Sequence, residues 1–248
     1  MANTQFLMAN KAAQSLRISE KRDLINTFLK SEIFSTPDIL SQVVGMKGQG
    51  AHATLKAMVR DGLLRCGELP TGNKMQVIYG LTPHAAALAS DFAAGEIVTY
   101  FEPGKVSCWT LQHSLFIQKL RLQLESEGWT NWQSDRQCRR EAQKNESWLK
   151  VPDALATNPQ GERVAIEVER SYKSLKRYPD ILSSYLQMIR AGRLNKVHYY
   201  CVGSVTAKKM HDIFHQSTHI KIQGQHIALE LRHYQQFEFF DFSTTPKE

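Results

Sequence analysis

The chain lacks the marks of several protein classes. Its 248 residues include only four cysteines, Cys66, Cys108, Cys138 and Cys201, widely spread and with no C-x-x-C pair. Such spacing suits neither a zinc framework nor a disulfide scaffold, and predicts buried free thiols in a reducing compartment. No run approaches the roughly 18 consecutive apolar residues of a membrane span. The first residues carry no basic stretch followed by an apolar one, so they do not read as a signal peptide. The expectation is a cytoplasmic protein with no membrane insertion. Hydrophobic residues make up 42% and charged residues 22%, so the chain is neither disordered nor fibrous. Its length suits one large domain or two small ones.

Charge is tilted one way. Lys and Arg number 31 against 24 Asp and Glu, a net +7. A mild basic excess favours a polyanionic partner over a neutral one.

Residues 20 to 95 predict three helices, a hairpin and a further helix. Ser19 is a candidate cap, and Leu24, Ile25, Phe28 and Leu29 supply an apolar stripe. Thr36-Pro37-Asp38 opens a second helix with a capping hydroxyl, a proline and a first-turn acid. The third helix is expected from about Gln49 to Asp61, stopped by Gly62, with Ala51, Leu55, Met58 and Val59 buried. Gln49, His52, Lys56 and Arg60 then project from its other side. A hairpin follows, its turn at Pro70 to Lys74, and Thr82-Pro83 caps the next helix. This order resembles a winged helix-turn-helix, in which the third helix enters the major groove and the hairpin tip touches the backbone. By that resemblance Gln49, His52, Lys56, Arg60 and Lys74 face DNA. Residues 96 to 112 read as a linker.

In the second half, His113, Ile117, Leu120 and Leu124 mark one face of a helix over 113–127. Val151-Pro152-Asp153 starts a strand, and Asn158-Pro159-Gln160-Gly161 is a turn by composition. From Arg163 to Glu169 the sequence alternates, so Ala165, Glu167 and Glu169 share one strand face. Register decides whether Asp153 joins them. A two-residue turn sets Asp153 opposite Ile166. A three-residue loop with Gly161 left-handed sets it opposite Glu167, and this second register is the expected one. Three crowded carboxylates repel one another, and a hard divalent cation, Mg²⁺ or Mn²⁺, relieves the repulsion.

A basic run follows. Arg170, Lys173, Lys176, Arg177, Arg190, Arg193 and Lys196 face a single acid, Asp180. That is +6 of the total +7 within 27 residues. Acids on a strand beside bases on the next helix suit a cation-assisted phosphodiesterase site.

Pro152-Asp153 with Glu167-Val168-Glu169 resembles the PD-(D/E)XK pattern of restriction-endonuclease-like nucleases, with Glu169 where that pattern usually has Lys. The string Ala165 to Ser174, with His113, Trp132 and Asp135 upstream and Val197 to Cys201 downstream, is similar to MobC-type (MOBC) plasmid relaxases and the related replication-relaxation proteins. The resemblance implies an α/β (α+β) protein in two domains. A winged helix over 18–97 precedes a restriction-endonuclease-like domain over 110–243, with a mixed central sheet flanked by helices.

It further implies a metal-dependent endonuclease that nicks one strand at a plasmid origin of transfer, with an accessory protein and a coupling protein of a secretion system as partners. Asp153 and Glu167, the Val168 carbonyl and Glu169 then hold the cation. Lys173, or Lys176 one turn later, stabilises the phosphate. His113 and Asp135 are further catalytic candidates, and Arg170, Lys176 and Arg177 contact DNA. Two alternatives stay open: a non-catalytic DNA-binding regulator, and a nuclease that cuts both strands. Tyr172, Tyr178 and Tyr185 are candidates for a covalent nucleophile, for packing or for DNA stacking. His211, His215 and His219 recur every four residues and read as a polar helix face. Ile220 to Leu231 reads as a peripheral hairpin, and Thr244 to Glu248 as a frayed end.

Overall fold

The computed structural model describes residues 2–46, 49–71, 74–93, 95–145, 148–170, 177–222 and 224–242. The chain divides into two compact units, Met1–Gln118 and Lys119–Glu248.

The first unit opens with helix α1, Ala2–Glu32. Ser19 therefore lies inside a helix and is not its cap. Positions 2 to 32 hold neither Pro nor Gly, so nothing stops the helix from extending toward the N-terminus. Ile25, Phe28 and Leu29 are buried, while Leu24 stays exposed. Strand β1 is Phe34–Ser35, and helix α2 is Pro37–Val43, where Thr36 Oγ1 accepts from Ile39 N at 3.4 Å. Helix α3 is Gln49–Arg60 and buries Ala51, Leu55 and Met58. Val59, expected in that face, is 36% exposed.

Strands β2, Leu64–Thr71, and β3, Lys74–Leu81, pair from Leu64↔Leu81 to Thr71↔Lys74. Pro70 is thus a strand residue, and the residues that join the strands, 72–73, lie outside the described set. The small sheet runs β1-β3-β2. Gly80 is obligatory there: a Cβ would collide with Phe101 and the Ile33 carbonyl. Helix α4, Pro83–Ala89, is capped by Thr82 Oγ1, which accepts from Ala85 N at 3.1 Å. Helix α5, Cys108–Ser126, begins inside the expected linker. Its Leu111 packs with Phe34, Ile78 and Phe101. Its buried Gln118 holds β1, accepting from Ser35 Oγ at 2.7 Å and donating to the Phe34 carbonyl at 2.8 Å.

The second unit is built on a five-stranded sheet. In chain order come β4 (Thr130–Ser134), α6 (Asp135–Gln143), β5 (Ala154–Thr157), β6 (Arg163–Glu169), α7 (Tyr178–Arg190), β7 (Lys196–Cys201), α8 (Ser204–Gln216), the hairpin β8 (His219–Ile222) and β9 (Gln225–Ala228), α9 (Leu231–Tyr234) and β10 (Phe237–Asp241). The sheet order is β10-β7-β6-β5-β4. Strand β7 runs parallel to both β6 and β10, whereas β5 runs antiparallel to both β4 and β6. This is the expected mixed sheet flanked by helices. Helix α6 was not foreseen, although Ser134 and Gln137 form a capping box.

Strand β6 is central, so both of its faces are covered and Val164 to Glu169 are all buried. One face carries Leu155, Ala165, Val197, Tyr199 and Phe237 against Leu182 and Tyr185 of α7 and Met210 and Phe214 of α8. The cysteines divide: Cys138 and Cys201 are buried as expected, but Cys66 and Cys108 are exposed.

On the opposite face His198 sits among Trp129, Tyr200 and Phe240, with ring centroids 5.5, 6.3 and 5.0 Å away. Neither ring nitrogen has a hydrogen-bond partner among the described residues. Burial pushes His198 down to about 4, against an opposing pull from Glu238. An unfolded chain takes up this proton near its ordinary value of about 6.5, while the folded protein resists until about 4. Stability is therefore complete above the ordinary value and is lost as pH falls toward 4, by about 3 kcal/mol in full. His198→Phe is expected to remove that loss, which denaturant unfolding at pH 7 and pH 4 measures.

Candidate active site

Asn158 and Glu162 close the β5–β6 turn, with Asn158 N donating to the Glu162 carbonyl at 2.9 Å. Three residues lie between them, and Gly161 has φ 81°. This left-handed position sets the register Thr157↔Arg163 through Ala154↔Ile166. One step further, Asp153 faces Glu167, as the three-residue loop requires. Asp153 continues the ladder with its side chain, Oδ2 accepting from Val168 N at 2.8 Å.

Glu167 is 3% exposed and Glu169 5%. Glu167 Oε1 accepts hydrogen bonds from both Lys150 Nζ and the Tyr185 hydroxyl. Lys150 Nζ also donates to Tyr185 Oη at 3.2 Å and lies 4.9 Å from its ring centroid. The carboxylates meet compensation within the chain itself. Asp153 spends an oxygen on the backbone, and Glu167 is neutralised by an ammonium. Among the described residues, no group of three His, Cys, Asp or Glu side chains stands ready to hold a metal ion. The donors on this strand end, Asp153, Glu167, Glu169 and the Val168 carbonyl, are nonetheless all oxygens, which suit Mg²⁺ or Mn²⁺. The positive charge that Glu167 meets is that of Lys150.

Sequence reasoning missed Lys150. It lies seven residues after α6 and three before Asp153, on a stretch with no regular structure. Neither helical nor strand periodicity can aim such a side chain. Tyr185 is fully buried, and burial, then the Glu167 carboxylate, keeps its hydroxyl well above the ordinary phenol value. Tyr178 is buried too, at 1%. Both are packing residues, which argues against either as an exposed nucleophile. Tyr172, Lys173 and Lys176 lie outside the described residues.

The remaining candidates are dispersed. Asp135 begins α6 and accepts from Arg139 Nε at 3.4 Å. His113 is a half-buried residue of α5 in the first unit. Arg170 is half-buried beside Glu169, and the exposed Arg177 immediately precedes α7 without a side-chain capping bond. The basic run does not stay together. Lys196 pairs with Val164, at the opposite end of β6 from Glu169, and donates to Glu238 at 3.0 Å. Arg190 closes α7, roughly 20 Å along the helix from Arg177. His211 and His215 are exposed neighbours on α8, their ring centroids 4.2 Å apart, whereas His219 starts β8.

In the first unit, Gln49, His52, Ala53 and Lys56 line an open cleft of about 320 Å³ on the outer face of α3. Lys74 is exposed at the start of β3. Arg60 is 78% exposed but donates to Asp61 at 3.3 Å. Asp61 also accepts from Arg22, whose guanidinium holds its carboxyl below the ordinary value.

A family model described as replication-relaxation matches residues 27–201, well over half of the chain. No curated protein and no solved structure matches it. No described helix is long and apolar enough to cross a membrane.

Proposed function

Since the chain belongs to the replication-relaxation family, we propose that it is a plasmid mobilization relaxase, a cation-dependent endonuclease that nicks one strand at the origin of transfer. The observation that carries this reading is the β5–β6 register, which sets Asp153 beside the buried Glu167 with Lys150 on the carboxylate. Asp153, Glu167 and Glu169, with the Val168 carbonyl, are the groups to hold Mg²⁺ or Mn²⁺. When bound, such a cation polarises a phosphate and lowers the pKa of a water. Lys150 supplies the positive charge that Glu169 cannot, standing where the PD-(D/E)XK pattern has Lys. Lys173 and Lys176 are further candidates for that role. Arg170 and Arg177 neutralise neighbouring phosphates. The test is supercoiled plasmid carrying the cognate origin, with and without Mg²⁺. Open circles support the reading, and linear product points to a double-strand nuclease.

We read the first unit as a winged helix that places this chemistry on DNA. The exposed face of α3, with Gln49, His52 and Lys56, is polar and lightly basic, which suits base edges and phosphates together. Lys56→Ala and Lys74→Ala are each expected to weaken DNA binding evenly across sequences and to reduce the salt slope by about one. Fluorescence anisotropy from about 50 to 200 mM salt reads this. An unchanged slope removes that lysine from the interface.

A second reading has its own support. Glu169 in place of Lys, together with the absence of a ready three-residue metal cage among the described residues, suits a DNA-binding regulator with a degenerate nuclease domain. Plasmid that stays supercoiled while the protein binds it selects this reading.

A further inference from the structure

Glu167 is a buried carboxylate in the centre of a sheet, and a buried charge is costly unless a counter-charge and hydrogen-bond donors meet it. Two donors meet it on the same oxygen, Oε1, and they differ in kind. Tyr185 is fully buried in α7, packed edge-on against Phe237 at 6.5 Å. It is a fixed part of the core. Lys150 lies on a segment without regular structure, and its side chain remains 20% exposed. Its ammonium lies 4.9 Å from the Tyr185 ring centroid at the end of a flexible four-carbon stem, so it can leave while the phenol stays. A divalent cation on Oε1 would face the Lys150 ammonium at contact distance, where like charges repel strongly in a poorly solvated site.

We propose that Lys150 is a parked counter-ion, which neutralises Glu167 in the cation-free protein and competes with a divalent cation for the same carboxylate oxygen. The proposal deepens the reading of Asp153 and Glu167 as cation ligands and rests on it. Cation loading then does two things at once: it replaces one positive charge on Glu167 with another, and it releases the ammonium toward solvent, where a phosphate can meet it. The arrangement also accounts for the lysine's place outside the strand. A lysine at position 169 would be held by the ladder, whereas Lys150 is free to exchange partners. A lysine that served the phosphate alone would leave cation affinity unchanged when removed. A parked lysine makes the opposite prediction, that its removal tightens cation binding.

Calorimetric titration of the full chain with Mn²⁺ separates these outcomes. Lys150→Met is expected to bind Mn²⁺ at least about tenfold more tightly than the native protein, and adding Glu167→Gln should abolish that gain. Equal affinity in the native protein and Lys150→Met overturns the proposal and leaves the cation reading standing. Absence of Mn²⁺ binding in every variant overturns both. In chelator, Lys150→Met should melt at a lower temperature than the native protein, and Mn²⁺ should raise its Tm by more. If Lys150→Met does not fold, the double variant Lys150→Met/Glu167→Gln must fold, because its pair carries no buried charge. A double variant that also fails to fold overturns the pairing.

Discussion

Glu167→Ala is expected to slow nicking of supercoiled origin plasmid by at least about a hundredfold, since even the residues that only support a metal ligand cost about 10–100-fold in metal affinity or activity when mutated. Three features single out this carboxylate. It lies on the most buried strand, its register partner is Asp153, and Lys150 and Tyr185 both aim at it. Truncation leaves the Lys150 ammonium without its carboxylate, so a fall in rate can have a folding component. Glu167→Gln keeps the shape and an acceptor for Tyr185 while it removes the charge, and the same loss is expected from it. Asp153 needs matching care. Asp153→Ala also strips the Val168 amide of its acceptor, whereas Asp153→Asn keeps an oxygen there. A loss of rate in Asp153→Asn, with unchanged Tm, assigns Asp153 to the chemistry. Should Glu167→Gln nick as fast as the native protein, the site lies elsewhere.

Phe214→Ala is expected to destabilise the second unit by about 3–5 kcal/mol, the usual cost of deleting a buried aromatic ring. Phe214 is 1% exposed. Its ring lies 5.8 Å from Tyr178, 5.2 Å from Tyr199, 5.3 Å from Phe237 and 5.1 Å from Phe239. Those four come from α7, β7 and β10, so the cavity would open where three elements meet. A loss of that size lowers Tm by about 10 °C. Phe214→Leu refills most of the space and is expected to cost much less. Thermal unfolding followed by circular dichroism checks both. Equal Tm values for Phe214→Ala and the native protein would show that the aromatic cluster does not stabilise the unit. The cluster also bears on the site. Tyr199 lies opposite Glu167 in the β6–β7 register, so loosening β7 should reduce nicking in parallel with stability.

Several site features were legible because they are local. The Thr36 and Thr82 caps need only a hydroxyl three residues before a free amide. The opposition of Asp153 and Glu167 follows from counting residues around Gly161, since a turn that demands a left-handed residue admits one register. Longer-range features were not legible. The sequence over β6 alternates, yet as a central strand beside β5 and β7 it is covered on both faces, and nothing in seven residues states how many neighbours a strand will have. The basic excess after Glu169 read as one patch. Strand β7 returns from the far end of the sheet and carries Lys196 away from Glu169 toward Glu238.

By itself the sequence determined the carboxylate pair, the polar face of α3 and the break between two kinds of patterning. Periodicity and turn chemistry act within a few residues and leave marks that can be counted. Only the tertiary structure decided what neutralises Glu167. Lys150 and Tyr185 are 17 and 18 residues away in the chain. They meet at one oxygen because α7 carries Tyr185 against β6 and the irregular segment before β5 carries Lys150 to the same carboxylate. A buried charge selects its partner in space, and spacing along the chain leaves no trace of that choice.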